Sequence, residues 1–352
     1  MGQEHIRNLA LIEGATVSAI ADPDGQMRQA ARDLCQREFG ATPDIHHDFK
    51  DMLSAGNIDA LLIASPNDSH YGITKSCLET GLPILCEKPV TTRSDQAFEI
   101  AELAERRDAP FWVAMEYRYM PPVARLIEMA DAGQAGAIKR LSILEHRFPF
   151  LDKVGGWNQF SHRTGGTMVE KCCHFFDLMR FILKAEPIRL MASGGQDVNR
   201  LEANGDGSQP DMVDNAFVIV DFDNGTRASL DLCMFAEGSY FQETVTVIGD
   251  AAKIDAKVPG PARFWPGHAE RNSYVEFSPR ADKNPTREAV AIPEVVLRAG
   301  DHHGSSFFQH QRFFNVLQGQ GQVEVTAHDG AMAVKMGEAA EQSIKTGAVC
   351  NF

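Results

Sequence analysis

The sequence predicts an α/β protein of two domains, in which a doubly wound parallel sheet is followed by an α+β domain built on an antiparallel sheet. Up to about residue 121, short apolar strands alternate with amphipathic helices, a pattern typical of parallel strands covered by helices on both faces. Beyond residue 122 the strands become longer, alternate between apolar and polar residues, and are joined by tight turns. A length of 352 residues is enough for two domains, and we place them at 1–121 and 122–352.

The first domain opens with MGQEHIRNLALIEGATVSAIADPD, which predicts a helix from Glu4 to about Glu13 and then a strand from Ala15 to Ala21. The strands that follow are short apolar runs, and the helices between them carry apolar residues at helical spacing. The helices expected here are Met27–Phe39, Tyr71–Thr80 with Gly81 as its C-cap, and Thr92–Arg107. The strands expected here are Ile58–Pro66, the run LPILCEKP, and Pro110–Tyr119.

The second domain begins where Met120-Pro121-Pro122 interrupts this alternation. Two hairpins are predicted, because Asn224-Gly225 and Gly249-Asp250 each separate two runs of alternating apolar residues. The stretch 260–304 is punctuated by Pro and Arg, so we expect it to be rich in loops. The helices expected in this domain are Val123–Ala132, Ser305–Gln318, and Asp329–Thr346 with Asp329 as its N-cap.

The amino-acid composition limits the classes of molecule that we expect this protein to bind. The net charge of −14 repels nucleic acid and anionic lipid, and no apolar run approaches the length of a membrane helix. The seven cysteines are an odd number and contain no CxxC pair, which indicates reduced thiols and a cytoplasmic location. We therefore expect a small-molecule ligand and neither nucleic acid nor a membrane.

The start of the chain matches the second half of a dinucleotide-binding motif. Such a motif places a glycine at the N-terminus of a helix, near the pyrophosphate, and an acidic residue about 20 positions later for the ribose hydroxyls. Gly2 and Asp22 have this spacing, with a helix and a strand between them. Any helix–strand unit that ends in Asp gives the same pattern. The first strand and two earlier glycines are not in the sequence, and we expect them to be encoded upstream of Met1.

Two other strand ends carry unusual polar residues. The segment SPNDSH (residues 65–70) follows one predicted strand, and CEKP (residues 86–89) ends another. Ligands of doubly wound sheets bind at the carboxyl ends of the strands, so both segments are candidate binding loops. A turn with an N-cap and a charged loop are the simpler alternatives.

These segments, with YRYMPP (residues 117–122) and TGGTMVEKCCHFFD (residues 164–177), occur in an order and at separations that resemble the glucose-fructose oxidoreductase/inositol dehydrogenase/MocA family. The resemblance runs essentially from end to end. It implies a Rossmann-type doubly wound domain followed by a domain with a large open-faced antiparallel sheet. It also implies NAD(P)-dependent oxidation of a sugar or cyclitol hydroxyl, with Gly2 as the third glycine of the fingerprint and His5 as its trailing histidine.

The segment GGTMVEKCCHFFDLMRFIL (residues 165–183) predicts one helix opened by a Gly-Gly turn, with Glu170, His174 and Asp177 on one face. His174 has the intrinsic pKa to accept a hydroxyl proton. Glu170 can orient the imidazole, and Lys88 can stabilise a developing alkoxide. The resemblance implies the same catalytic set, Lys88, Glu170 and His174. Many family members have Asp where this chain has Glu170, so that side chain could instead face the substrate.

Cofactor and substrate residues complete the expected site. The cofactor-binding residues implied by the resemblance are Gly2, Asp22, Ser65, Asn67, His70, Glu87 and Lys88. We expect NAD rather than NADP, because a carboxylate at Asp22 repels a 2′-phosphate. The loop before the Gly-Gly turn offers Trp157 as a flat face for a sugar ring, and Asn158 and Arg163 as hydrogen-bond donors, beside His174. An ordinary surface loop is the alternative.

Other functions share these features. A glycoside hydrolase that retains NAD has the same fold, and a ligand-sensing regulator would keep the fold without catalysis. A metal site at Glu170, Cys173, His174 and Asp177 is permitted by their spacing, but we expect no metal. An open-faced sheet must cover its outer surface, so we expect a homodimer or homotetramer formed through it.

Overall fold

The computed structural model describes residues 1–268 and 271–352, which form three sheets and the helices around them. The strands are β1 (Ala19–Ala21), β2 (Asp44–His46), β3 (Leu61–Ile63), β4 (Ile84–Cys86), β5 (Phe111–Val113), β6 (Ile138–His146), β7 (Pro187–Gly195), β8 (Asn215–Phe222), β9 (Arg227–Cys233), β10 (Phe241–Gly249), β11 (Ala252–Pro259), β12 (Tyr274–Pro279), β13 (Thr286–Ala289) and β14 (Cys350–Asn351). The helices are α1 (Gly2–Leu9), α2 (Gly25–Phe39), α3 (Phe49–Ala55), α4 (His70–Leu78), α5 (Ser94–Glu105), α6 (Pro121–Asp131), α7 (Ser161–Thr164), α8 (Thr167–Glu170), α9 (Cys173–Leu183), α10 (Glu294–Ala299), α11 (Ser305–Leu317) and α12 (Ala327–Thr346).

The first part alternates strands and helices as predicted, and all of its strand pairs are parallel. Its strands form two sheets, β1–β2 and β3–β4–β5, and no ladder joins these two sheets within the described residues. The core is divided in the same way. Ile6, Leu34 and Cys35 form a small cluster of their own, whereas β3, β4 and β5 belong to the large core that continues into the second part.

Several element boundaries in this part were predicted wrongly, among them the strand Ile58–Pro66, which covers only Leu61–Ile63. The opening helix ends at Leu9 rather than about Glu13, and the strand after it has only three residues. The predicted strand Pro110–Tyr119 ends at Val113 and is followed by a 3₁₀ helix, Glu116–Tyr119. Its apolar run is longer than the strand because the 3₁₀ turn is itself buried between the two parts of the chain.

The second part is built on a nine-stranded sheet with the order β13-β12-β11-β10-β6-β9-β8-β7-β14. Both predicted hairpins are present, as β8–β9 and β10–β11. Every pairing is antiparallel except that of β6 with β9. The segment 260–304 is more regular than expected, because β12 and β13 extend the sheet by pairing with β11 and with each other.

The helices cover one face of this sheet and leave part of the other exposed. Helix α12 packs on β7 and α9 and begins earlier than predicted. Thr326, not Asp329, is its N-cap, and Asp329 completes a capping box by accepting the Thr326 N–H at 3.0 Å. Within the part of the chain that the structure describes, no helix is both long and apolar enough to cross a membrane.

The single helix predicted for residues 167–183 is wrong, because the structure has two helices there. Lys171 and Cys172 lie between α8 and α9, and the Cys172 N–H donates to the Thr167 carbonyl at 3.3 Å, five residues back. Such a wide turn inserts an extra residue and changes the helical phase. Glu170 and His174 therefore do not share the face that a continuous helix would give them.

Asp177, the third member of that predicted face, forms a buried ion pair instead. Its carboxylate accepts two hydrogen bonds from Arg118, at 2.6 Å from Nε and 2.5 Å from Nη2. Arg118 also donates to the Glu324 carbonyl at 2.8 Å. The pair therefore joins the 3₁₀ helix, α9 and the segment that leads into α12.

We expect Asp177→Ala to lower the free energy of unfolding by about 3 kcal/mol, because it leaves the buried Arg118 charge with no carboxylate nearer than that of Asp329, which lies 3.7 Å away. Asp131→Ala is the matched control, since it breaks the exposed Asp131–Lys184 pair and should cost less than about 1 kcal/mol. Urea denaturation of both variants measures the difference. Equal losses would contradict the structural role assigned to the buried pair.

Candidate active site

The candidate site lies at the carboxyl ends of β3 and β4, where the loops SPNDSH and CEKP emerge. His70 ties these loops together: its Nδ1 lies 2.7 Å from the Pro89 carbonyl oxygen and its Nε2 lies 2.9 Å from that of Ser65. The side chain is buried, which lowers its pKa, and the neutral ring donates its one N–H to one of these two carbonyl oxygens. The predicted cofactor residue His70 thus holds the two loops in register, while Ser65 also accepts a hydrogen bond from Ser69 at 2.7 Å.

Glu170 faces these loops and not His174. Asn67 donates its amide N–H to one carboxylate oxygen of Glu170. The other oxygen lies 3.8 Å from Lys88 Nζ and 3.5 Å from Lys153 Nζ. Burial raises the pKa of Glu170, but the two lysines and Asn67 outweigh burial and hold the pKa below its ordinary value. The carboxylate is therefore ionised and bound by cations on two sides.

Lys88 is fixed by the same residue. Its Nζ donates to the Glu170 backbone carbonyl at 2.8 Å. Burial lowers the pKa of Lys88, yet the Glu170 charge and other nearby anions raise it further than burial lowers it. Lys88 is therefore a cation at neutral pH, held just after β4 against the Glu170 carbonyl.

His174 is buried and makes no side-chain hydrogen bond within the described residues, and its Nδ1 is fully enclosed. Its ring stacks on Tyr117, with centroids 4.1 Å apart and planes 7° from parallel. Burial is the largest cause that places the pKa of His174 well below its ordinary value, followed by the charge of Lys88. The imidazole is therefore neutral, as a proton acceptor must be.

A second group of buried charges lies on the sheet side of His174. The Lys171 ammonium donates to the Tyr117 hydroxyl and lies 2.8 Å from Glu145. Glu243 is the cross-strand partner of Glu145, and burial next to Glu145 raises the pKa of Glu243 to about 7. None of these four residues was predicted. The sequence does contain a signal for two of them. Along part of β6 and of β10, every second residue is buried and most of these residues are apolar, and Glu145 and Glu243 each occupy one of these positions.

The predicted substrate residues lie in the loop that leads to α8. Trp157 is buried beneath Lys153, whose Nζ is 4.5 Å from the indole ring centre. Asn158 donates to the Leu151 carbonyl at 2.9 Å, while its own Oδ1 is buried without a partner in the described residues. Arg163 is bound to Asp68 at 2.7 and 3.1 Å. Lys153, which sequence reasoning missed, is the loop residue that reaches Glu170.

Two of the residues expected to hold NAD, Gly2 and Asp22, have free groups of the right chemistry. Gly2 opens α1, and a Cβ there would meet nothing within 4 Å, so a ligand can approach the backbone. Asp22 follows β1, and its Oδ1 accepts the Asp24 N–H at 2.8 Å. Its other oxygen has no partner in the described residues and can accept a ribose hydroxyl. These groups fit the pyrophosphate and the ribose of a dinucleotide.

Glu87, also predicted for the cofactor, is engaged within the protein. Its carboxylate lies 2.9 Å from His5 Nε2 and accepts the Lys88 N–H at 3.1 Å. His5 Nδ1 lies 2.8 Å from His310 Nε2 on α11. Glu87 therefore joins the CEKP loop to α1 and α11.

A buried cluster beside this contact joins α1 to the segment before α11. Glu4 lies 2.8 Å from His302 Nδ1, and Glu116 lies 3.6 Å from the same atom. Burial lowers the pKa of His302, but the two carboxylates dominate and raise it to about 9. His302 was missed because it lies in the segment expected to be rich in loops.

The metal alternative finds no support in the arrangement of its four residues. Glu170 is held by Asn67 and the lysines, whereas Asp177 is held by Arg118. Across residues 1–268 and 271–352, no group of three His, Cys, Asp or Glu side chains is arranged to hold a metal ion.

Strand-end loops that carry Asp22 and Lys88, opposite a second domain that supplies His174, define a dinucleotide-binding oxidoreductase of two domains. Two family models agree with this class. "Oxidoreductase family, NAD-binding Rossmann fold" matches residues 1–115, and "Oxidoreductase family, C-terminal alpha/beta domain" matches residues 127–352. The chain belongs to this family, the glucose-fructose oxidoreductase/inositol dehydrogenase/MocA oxidoreductases. The predictions of family, fold class, oxidoreductase activity and an NAD-binding domain are confirmed.

Individual relatives resemble the chain over most of its length. It is 24% identical over 360 residues to the uncharacterized oxidoreductase YrbE of Bacillus subtilis, covering 99% of this chain and 92% of the relative. It is 26% identical over 306 residues to inositol 2-dehydrogenase of Corynebacterium glutamicum, covering 85% of each. The fold is similar to that of levoglucosan dehydrogenase in complex with NADH, with a TM-score of 0.81, 18% identity, and coverage of 100% and 96%.

We expect His302 to stabilise the fold below pH 6.5 and to lose this effect as the pH rises through 9, because its pKa is raised on folding. The unfolding free energies of the native chain and His302→Gln should differ by roughly 2–3 kcal/mol at pH 6 and converge by pH 10. Chemical denaturation at several pH values measures this gap. Exposed His328→Gln is the control, and a gap for His302→Gln that does not change with pH would refute the assignment.

Proposed function

We propose that the protein oxidises a hydroxyl-bearing carbon of a sugar or cyclitol and transfers the hydride to NAD. The observation that carries the proposal is the neutral, buried imidazole of His174, close enough to the Lys88 ammonium for that charge to lower the pKa of the ring. Relatives named as inositol 2-dehydrogenase and scyllo-inositol 2-dehydrogenase support this substrate class.

His174 is the general base in this proposal. Its lowered pKa keeps the ring deprotonated at neutral pH, so that it accepts the substrate hydroxyl proton as the C–H bond breaks. NAD⁺ supplies the hydride acceptor when it is bound. Lys88 presents a fixed positive charge to the oxygen that becomes more negative in the transition state.

Glu170 acts through Lys88 and not through the imidazole. Its carboxylate and its backbone carbonyl both bind the Lys88 ammonium, so they hold the cation in place and keep it protonated. This role replaces the imidazole-orienting role expected from a continuous helix. The longer Glu side chain suits the new role, because it extends toward Asn67 and the CEKP loop.

For the cofactor, Gly2 and the first turn of α1 are proposed to face the pyrophosphate, and Asp22 to accept from the adenosine ribose. Ser65, Asn67 and Lys88 are proposed to border the nicotinamide half. His70 and Glu87 are proposed to support these loops, since their polar atoms bind within the protein. The Asp22 carboxylate disfavours a 2′-phosphate, so NAD is proposed over NADP.

For the substrate, the loop carrying Trp157, Asn158 and Arg163 is proposed to set specificity. Lys153 links this loop to Glu170 and lies over the Trp157 ring. Arg163 is proposed to hold the loop against Asp68, and Trp157 to form the wall against which a ring packs.

A screen for NAD⁺ and NADP⁺ reduction over a panel of polyols, inositols and sugars tests the proposal. We expect at least one cyclitol or sugar to be oxidised, with a higher kcat/KM for NAD⁺. His174→Ala should lower kcat by about 100-fold or more, because it removes the general base. His328→Ala is the matched control and should retain activity.

Two results would contradict the proposal. If no member of the panel is oxidised while NAD binds with micromolar affinity, a regulator that keeps the fold replaces the enzyme. If an aryl glycoside releases its phenol without net formation of NADH, the NAD-retaining glycoside hydrolase replaces the dehydrogenase.

We also propose that two copies of the chain associate through the outer face of the nine-stranded sheet. On this face Phe217 is 65% exposed, Ile219 is 55% exposed, and Met191 is 50% exposed and lies opposite Ile219. Arg189 and Asp221 border this patch with both signs of charge. A second copy of the chain is the partner that fits this surface best. A two-fold axis would place the apolar patch of one copy against the same patch of the other copy, and would bring side chains of opposite charge together.

Sedimentation velocity tests this association. We expect the native chain to form a dimer or tetramer at micromolar concentration and Phe217→Asp to dissociate it. Val295→Asp is the control, since Val295 lies on α10 and is also more than half exposed. A monomeric native chain, or an unchanged Phe217→Asp assembly, would overturn the proposal.

A cytoplasmic location is proposed from the cysteines. All seven are free thiols, and five of them are buried. Such a set is typical of proteins in reducing compartments.

A further inference from the structure

The orientation of the His174 ring is fixed by an aromatic contact and not by a hydrogen bond. A catalytic imidazole is commonly oriented by a carboxylate that accepts from one ring nitrogen. Glu170 does not do this, because it binds Asn67, Lys88 and Lys153. The Nδ1 atom of His174 is enclosed without a hydrogen-bond partner in the described chain. The parallel stack on Tyr117, at 4.1 Å, is therefore what sets the ring plane.

Tyr117 is itself held rigidly. Phe175 contacts it edge to face, with ring centres 5.6 Å apart. The Lys171 ammonium donates to the Tyr117 hydroxyl, and its Nζ lies 4.6 Å from the centre of the same ring. Lys171 occupies the turn between α8 and α9. Its side chain points to the sheet, whereas the side chain of the preceding residue, Glu170, faces the loops after β3 and β4.

The contacts that hold Tyr117 continue through Lys171 to residues of the nine-stranded sheet. Glu145 on β6 lies 2.8 Å from Lys171 Nζ and 3.6 Å from Arg147. Glu243 on β10 pairs across the strands with Glu145. Two buried carboxylates therefore face two cations, and this arrangement leaves Lys171 little freedom to move.

We propose that Tyr117 and Lys171 are the positioning residues of His174: the Tyr117 ring holds the imidazole plane, and Lys171 locks Tyr117 to the sheet through Glu145. This inference rests on the proposed function, in which His174 is the base. It gives a role to the YRYMPP segment and to the break between the two helices, neither of which the dehydrogenase chemistry explains.

The stack also bears on the charge that His174 gains. A protonated imidazole over the face of a phenol ring is stabilised by the cation–π interaction. Cations fixed on several elements around His174 disfavour this positive charge on the imidazole. Burial is the largest cause of the lowered pKa of His174, and the charged groups that add to it are Lys88 after β4, Lys171 before α9, His302 before α11 and Arg147 after β6. Removing one cation should raise the pKa of His174.

Variants at Tyr117 separate the ring from the hydroxyl. Tyr117→Phe loses the hydrogen bond to Lys171 but keeps the stack and the contact of the Lys171 ammonium with the ring, so it should change kcat by less than about threefold. Tyr117→Leu removes it and should lower kcat by about 10- to 100-fold with KM within threefold, because a misplaced base slows the chemical step and leaves binding intact. Equal losses of kcat in both variants, or a Tyr117→Leu change confined to KM, would overturn the role of the ring.

Lys171 is tested with its carboxylate partner, because Lys171→Met alone leaves Glu145 buried without a counter-charge. The pair Lys171→Met with Glu145→Gln removes both charges, and Lys171→Arg keeps the cation. The double variant should move the acid limb of kcat/KM to higher pH, because the Lys171 charge is a leading cause of the lowered pKa of His174, whereas the Glu145 charge is not. Lys171→Arg should leave the limb in place. An acid limb unchanged in the double variant would overturn the role of Lys171.

A measurement without turnover keeps this test separate from that of the proposed function. The imidazole ¹⁵N signals of His174, assigned by their loss in His174→Ala, report its pKa and its aromatic neighbour in the resting protein. Tyr117→Leu should shift these signals, and Tyr117→Phe should leave them close to their original positions. If no substrate is found but these shifts occur, the positioning stands while the dehydrogenase proposal fails. Signals that do not move in Tyr117→Leu overturn the positioning itself.

Discussion

The architecture of the candidate active site depends on one wide backbone turn, in which the Cys172 N–H donates to the Thr167 carbonyl, five residues back. Without it, residues 167–183 would form one helix and their side chains would follow a single phase. With it, Glu170 faces the strand-end loops of the first domain while Lys171 faces the sheet of the second. Consecutive residues thus contribute opposite charges to two separate networks, and His174 lies between them.

Both networks follow the same electrostatic rule, which is that a buried charge is tolerated only when opposite charges and hydrogen bonds surround it. The Glu170 carboxylate lies between two ammonium groups and an amide. On the other side Lys171 lies between a carboxylate and a phenol. His174 carries no charge at neutral pH and needs no opposite charge beside it. Its ring can therefore be held by packing, which leaves a ring nitrogen free to accept a proton.

The sequence was sufficient for those features that depend on local patterns. Alternating strands and helices, the Asn224-Gly225 hairpin and the EKP motif each depend on a few neighbouring residues, and each led to the right architecture. The domain boundary after residue 121 and the roles of the individual site residues stay predictions. Features that depend on tertiary contact were missed. The helix break at Lys171 has no Pro or Gly to mark it, and Tyr117 looked like part of a strand because its burial comes from the domain junction.

The separate core of the first forty residues has a consequence for how the molecule moves. Ile6, Leu34 and Cys35 pack with each other and not with the main core, while α1 reaches the rest of the chain through ion pairs and histidine contacts such as His5 with His310. Segments joined by few apolar contacts open at a lower free energy than the whole protein. A ligand that bridges the two regions would shift this local equilibrium toward the closed form. The first forty residues can therefore behave as a cooperative unit of their own, whose docking depends on the charge of His302 beside Glu4 and on any ligand that bridges the two regions.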